Sequence, residues 1–334
     1  MNNSDKKNQK QLAFFDLIQK TLASNESLVN VVSDLLGVGI DASYRRIRGA
    51  KSINFEEAAI LSKHFNISMD SLTAVVSDQN SIHCRYLPLN LRDLSNYLVY
   101  IKGVSDIVGS LRQQPGSKII LSASDVPFFY LLHYKELTYF KLFSWSKNVY
   151  GFLGSYDDFV KQLDYAEIWR YYEQIVRDYQ LISSTEVWTS GTIDTYLRLI
   201  SYHFDTGDFS DSKIPLLLCS QLQDLSNTLK SWTLKGIKEP KETPFNLYIS
   251  ETDLENTFIL LKQQKRTACI IKLFTINSLT TYEKKICDEV ENWINNTVQR
   301  STLISGASAK ERYKFFNVQQ QKVDFLIDKI SKQR

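Results

Sequence analysis

Residues that usually carry recognisable chemistry are scarce in this chain. Histidine occurs four times in 334 residues (His64, His83, His133, His203) and cysteine four times (Cys84, Cys219, Cys269, Cys287), never as C-x-x-C. His83 and Cys84 adjoin, but no second ligand pair at zinc-like spacing accompanies them, so no metal is assigned. Among the 12 glycines there is no P-loop, no G-x-G-x-x-G and no G-x-S-x-G. His133-Tyr134-Lys135 opens like an H-x-K-x4-D phosphodiesterase motif, but Phe140 stands where the aspartate belongs. The acid pairs Glu56-Glu57 and Asp157-Asp158 are adjacent rather than convergent, and read as helix-capping charges. No catalytic residue and no cofactor follow, and an enzyme is not expected. Apolar runs of the ~20 residues needed for a membrane span are missing. The opening MNNSDKKNQKQ lacks the apolar core of a signal peptide. A cytoplasmic protein with reduced thiols is expected.

What is present is an ordinary globular balance, 43% hydrophobic and 23% charged, long enough for two domains. A net charge of +3 gives no global argument for nucleic acid. Composition changes near residue 80. The polar run Ser77–Ser81 reads as a linker, the first proline is Pro88, and all five tryptophans lie beyond it. The expected division is a disordered tail over 1–10, a small helical domain over 11–80 and a larger domain over 81–334.

The informative stretch is Leu35–Gly49, LLGVGIDASYRRIRG. Gly37 and Gly39 suit a helix end and sharp turn, Asp41 suits an N-cap, and a short arginine-rich helix follows. Tyr44 and Ile47 are expected to face inward together, leaving the arginines outside. Leu12, Phe15, Ile18 and Leu22 have helical spacing, as do Leu28, Val31, Val32, Leu35 and Leu36. Asn54-Phe-Glu-Glu57 reads as a capping box opening a fourth helix. Ser68 begins a fifth through Met69, Leu72 and Val75. Between Asp41 and Glu56 stand Arg45, Arg46, Arg48 and Lys51 with no acid.

Over residues 12–76 the segment GVGIDASYRRIRG…INFEEAAILSKHFNISMDSL resembles the Cro/repressor-like (XRE) helix-turn-helix domain. The SYRRIRG pattern (Ser43–Gly49) is similar to that of a Bacteroidetes-type subgroup. Residues from Tyr86 onward resemble the remainder of those regulators through STLISGASAKERYKFF (Ser301–Phe316). The family's recognition helix carries apolar residues where this chain has Ser43 and Arg46, so a helix rotated by one residue is expected. The resemblance implies a transcriptional regulator whose helix 41–49 enters the DNA major groove. Ala42, Ser43, Arg45 and Arg46 are the candidates nearest the bases, Arg48 and Lys51 those for phosphates, and Tyr44 completes the DNA-binding set. Because one head of this size buries only a modest surface, a homodimer held through residues 85–334 is expected. The alternatives are a protein-interaction module with a vestigial head, and an enzyme without a known motif.

The larger part reads as α+β. Helices are expected over 91–111, 127–150, 159–182, 192–204, 214–234, 278–298 and 309–330. Strands are expected at 118–123 and 245–250, and a hairpin at 257–275. The aromatic-rich stretches 128–145 and 165–179 read as core, with a pocket for a small effector as the alternative. The apolar stripe of the last helix (Phe316, Val323, Phe325, Leu326, Ile327, Ile330) either pairs protomers or closes the domain's own core. The whole is expected to be mainly α: a five-helix helix-turn-helix domain plus a larger α+β domain for dimerisation and sensing of a small-molecule or protein effector.

Overall fold

A computed structural model describes residues 3–22, 26–65, 67, 82–86, 89, 94–163, 166–264 and 266–332, with only the backbone at 3–8, 20 and 94. The chain divides into two compact units, Met1–His83 and Cys84–Arg334.

The first unit contains α1 (Asn3–Thr21), α2 (Leu28–Leu36), α3 (Ile40–Ile47) and α4 (Phe55–Phe65). Phe14, Phe15, Ile18, Leu28, Val32 and Leu61 form its core. Of the expected apolar face of α1, Phe15, Ile18 and Leu22 meet the core, whereas Leu12 is exposed and Gln11 turns inward in its place. It also begins at Asn3, inside the stretch expected to be a disordered tail. Four helices are thus described; the fifth expected one, over Ser68–Val75, lies outside the described residues.

In the second unit a mixed sheet runs β1 (Arg85–Tyr86), β8 (Ser278–Thr281), β7 (Thr267–Lys272), β6 (Phe258–Lys262), β2 (Lys118–Ser122), β3 (Ser183–Thr189), β5 (Thr243–Ser250), β4 (Ile237–Lys238). A ninth strand, β9 (Thr302–Leu303), pairs with β5. β2, β3 and β5 are parallel, and every other pairing is antiparallel. The period of two sorts the side chains. Ile119 and Leu121 join a large core built with α5 (Leu94–Gln113), α6 (Phe128–Leu131), α7 (Lys135–Tyr150), α8 (Tyr156–Leu163), α9 (Ala166–Gln180), α10 (Asp194–Asp205) and α11 (Lys213–Lys235). Ile120 and Val187 point the other way, against Cys287 and Ile294 of α12 (Lys284–Gln299). The last helix, α13 (Ala309–Lys332), packs on α11.

The mainly α expectation with a five-helix head does not hold: the protein is α+β, helices dominating around a nine-stranded mixed sheet among the described residues. Three local expectations also change. Ser183–Thr189, between two expected helices and assigned to no element, is strand β3. Ser278–Thr281, expected as the start of a helix, is strand β8, and α12 begins only at Lys284. The last helix buries Phe316, Val323, Leu326 and Ile330 in its own unit, leaving Phe325 outside. Most of the aromatic stretch is core: Tyr139, Phe140, Phe143 and Trp145 are all buried.

Candidate nucleic-acid interface

The arginine-rich segment is mounted on a tight turn. Gly37 ends α2 with φ +61°, and Val38 donates its N–H to the Ser33 carbonyl at 3.1 Å. The Ser33 hydroxyl donates to the Val38 carbonyl at 2.6 Å, closing the turn from both sides. Gly39, with φ −65°, is the N-cap of α3, so Asp41 lies one residue inside the helix rather than at its cap. There its carboxylate favours the positive helix start.

The orientation of α3 is the central correction. Ser43 (0% exposed) and Arg46 (4%) face inward, whereas Tyr44 is 44% exposed. The helix is therefore not rotated, and polar groups occupy the inward positions. They fit because each is satisfied locally. The Ser43 hydroxyl donates to the Gly39 carbonyl at 3.2 Å. Arg46 Nε donates to both Glu57 oxygens at 3.2 Å, Nη2 to Glu57 Oε1 at 2.6 Å, and Nη1 to the Ala42 carbonyl at 3.2 Å. These Arg46 bonds hold the Glu57 carboxyl below its ordinary pKa. Glu57 also completes the expected capping box, accepting the Asn54 N–H at 3.2 Å while Asn54 Oδ1 accepts the Glu57 N–H at 2.7 Å.

Behind the segment, Gln11 of α1 ties three backbone groups. Its Nε2 donates to the Arg46 carbonyl at 2.6 Å and the Lys51 carbonyl at 2.8 Å, and its Oε1 accepts the Ile53 N–H at 3.0 Å. Sequence reasoning passed over Gln11, though a polar residue beside Phe14 and Phe15 on an otherwise apolar helix face was the available signal.

Seven residues were candidates. The structure presents Tyr44, Arg45, Arg48 and Lys51 to solvent, leaves Ala42 half-buried, and withdraws Ser43 and Arg46 into the unit. The Arg48 guanidinium lies over the Tyr44 ring, 5.5 Å from its centroid, which orients both side chains. The exposed face thus offers three cations and one phenol, with Asp41 the only acid of the helix.

Elsewhere, among the described residues, no group of three His, Cys, Asp or Glu side chains gathers as a metal site. Among those same residues no helix is long and apolar enough to cross a membrane. Compared with protein-family models, curated proteins and solved structures, the chain matches none.

Proposed function

We propose that this is a cytoplasmic, sequence-specific DNA-binding regulator of transcription that uses α3 and the turn after it as its reading head. The observation that carries the proposal is the exposed set Arg45, Arg48 and Lys51 beside Tyr44 on a helix that follows a tight turn. The resemblance of residues 12–76 to repressor-like domains supports it. Arg45 is the residue for a base edge, where a bidentate contact to guanine contributes about 1–3 kcal/mol of discrimination. Arg48 and Lys51 serve phosphates, adding affinity without sequence information. Ser43 and Arg46 have no part in the contact. One head of this size buries on the order of 600–1,000 Å², so a homodimer, joined through the second unit, doubles the contact and reads half-sites about 34 Å apart.

Selection from a randomised duplex library, followed by fluorescence anisotropy across a salt series, tests the reading. Two phosphate-directed cations per head give a log–log salt slope near −1.8, and a dimer about twice that. Arg45→Ala should relax sequence preference, and Arg48→Ala or Lys51→Ala should weaken all sequences alike and flatten the slope. Failure to enrich any sequence, with binding indifferent to these substitutions, sinks the proposal.

A rival reading, a protein-interaction module, draws on Phe55, 76% exposed at the start of α4, and on exposed Ile40. Under it, Phe55→Ser abolishes partner capture while Arg45→Ala does nothing.

A further inference from the structure

Within the second unit, α5, α7 and the sheet enclose a cavity of about 120 Å³. Its wall is apolar over most of its extent: Tyr97, Tyr100, Ile101 and Val104 from α5, Leu142 from α7, and Ile276 beyond β7. The exceptions are the hydroxyl residues Thr138, Thr257, Thr275 and Ser278 and two charged ones, Lys141 and Lys272. Both ammonium groups converge on one oxygen. Lys141 Nζ donates to Asp125 Oδ2, and Lys272 Nζ donates to that oxygen from 3.2 Å. The other carboxylate oxygen, Oδ1, is taken by the Val126 N–H at 2.8 Å. Two cations therefore share one carboxylate. Among the described residues, the charges acting on Lys141 are Asp125 and Lys272, and those acting on Asp125 are the two lysines. Tyr196 lies behind Lys141, its ring centroid 5.1 Å from Nζ, and compensates only partly.

A formal surplus of one positive charge beside an apolar cavity is expensive. Burial, with Lys272 adding to it, lowers the Lys141 pKa from its ordinary value, and Asp125 opposes the shift. One further negative charge would relieve the strain. The cavity sets the shape of its carrier. An apolar cavity of about 150 Å³ holds benzene, so this one holds an alkyl body of roughly four or five carbons. A phosphate or sulfate would bring no apolar part to the Tyr97–Val104 wall, and an uncharged hydrocarbon would leave the ammonium surplus standing.

We propose that this cavity binds a short aliphatic monocarboxylate, with its carboxylate on Lys272 and Lys141 and its alkyl chain against Tyr97, Tyr100, Val104 and Ile276. The site stands on the second unit alone and is independent of whether the first unit reads DNA.

Isothermal titration of the full chain with sodium salts of straight-chain acids, from acetate to octanoate, tests it, with the matching primary amides alongside. Affinity should peak at about four to six carbons in all. The amide of the best acid should bind at least tenfold more weakly, since it lacks the charge. Lys272→Met, which leaves Asp125 and Lys141 as a matched pair, should weaken the acid at least tenfold. Should that variant fail to fold by circular dichroism, Val104→Phe provides an independent arm. It fills the cavity without touching a charge, and should move the optimum to shorter acids or abolish binding. No heat from any acid at millimolar concentration overturns the proposal. So do equal affinities for acid and amide, or wild-type binding by a folded Lys272→Met or Val104→Phe variant.

Discussion

Replacing Arg46 separates a structural arginine from the one proposed to read DNA, and its cost can be worked from the bonds described. Arg46→Ala removes three contacts to Glu57 and one to the Ala42 carbonyl. Breaking a fully buried pair costs roughly 3–5 kcal/mol, mostly through the charge left behind. Here Glu57 is 16% exposed and keeps its bond from Asn54, so water and the cap relieve part of the loss and about 2–3 kcal/mol is expected. Hydrogen exchange read by mass spectrometry on the full chain isolates the effect to peptides spanning 40–65. Their protected amides should exchange about 30- to 150-fold faster. Arg45→Ala, on an exposed side chain, should change exchange no more than about twofold. Arg46→Met/Glu57→Gln should recover much of the protection, because glutamine retains the capping geometry and no carboxylate remains unpaired. Wild-type exchange in Arg46→Ala, or equal damage from Arg45→Ala, would refute the buried-pair account. A double Arg45/Arg46 substitution is the wrong probe of DNA contact, since it unsettles the head that presents Arg45.

Two further outcomes test other parts of the fold. Lys238 is fully buried, donates to the Tyr179 carbonyl at 2.9 Å, and has its pKa pushed down to about 7 by burial. Because the unfolded lysine titrates higher, the unfolded state binds more protons between the two pKa values. This residue therefore makes stability rise with pH through that window, by at most about 5 kcal/mol. Urea unfolding at pH 6.5 and 9 should show Lys238→Met gaining most at the lower pH, and a constant difference would contradict this. At the turn, Gly37→Ala forces a side chain into a left-handed conformation and should cost about 1–2 kcal/mol. Gly39→Ala meets no atom within 4 Å and has an ordinary φ; thermal melts should rank the two accordingly.

Some of this architecture was open to sequence reading. Strand β2, the β6–β7 hairpin and the helices α11 and α13 carry unbroken apolar signals, and the Asn54–Glu57 box has a sequence signature. The central strand β3 was hidden by its own chemistry. SSTEVWT places a carboxylate in mid-strand, where an apolar residue is expected. Glu186 is nonetheless fully buried, because Tyr130, Tyr179, Ser184 and Trp188 all donate to it. Ser184 and Trp188 flank it on the strand, but Tyr179 comes from the preceding helix and Tyr130 from 56 residues upstream, which local periodicity cannot see. The same limit misplaced Arg46: an arginine reads as solvent-facing until Glu57, 11 residues on, is known to meet it. Of the seven interface candidates, the segment was legible but the facing was not. The cavity lysines were not legible at all, since Asp125, Lys141 and Lys272 are joined only by the tertiary fold.

Gln11 has a mechanical consequence. By gripping the backbone at Arg46, Lys51 and Ile53 from one side chain, it turns the stretch between the arginine helix and the next into a fixed bracket. Flexible basic tails surrender much of their affinity to being ordered when they meet a polyanion. On the DNA-binding reading proposed above, a bracket assembled during folding has already met that demand, so its cations would arrive spaced and aimed. A single amide on the far helix, which touches no partner, would thereby govern how costly the encounter is.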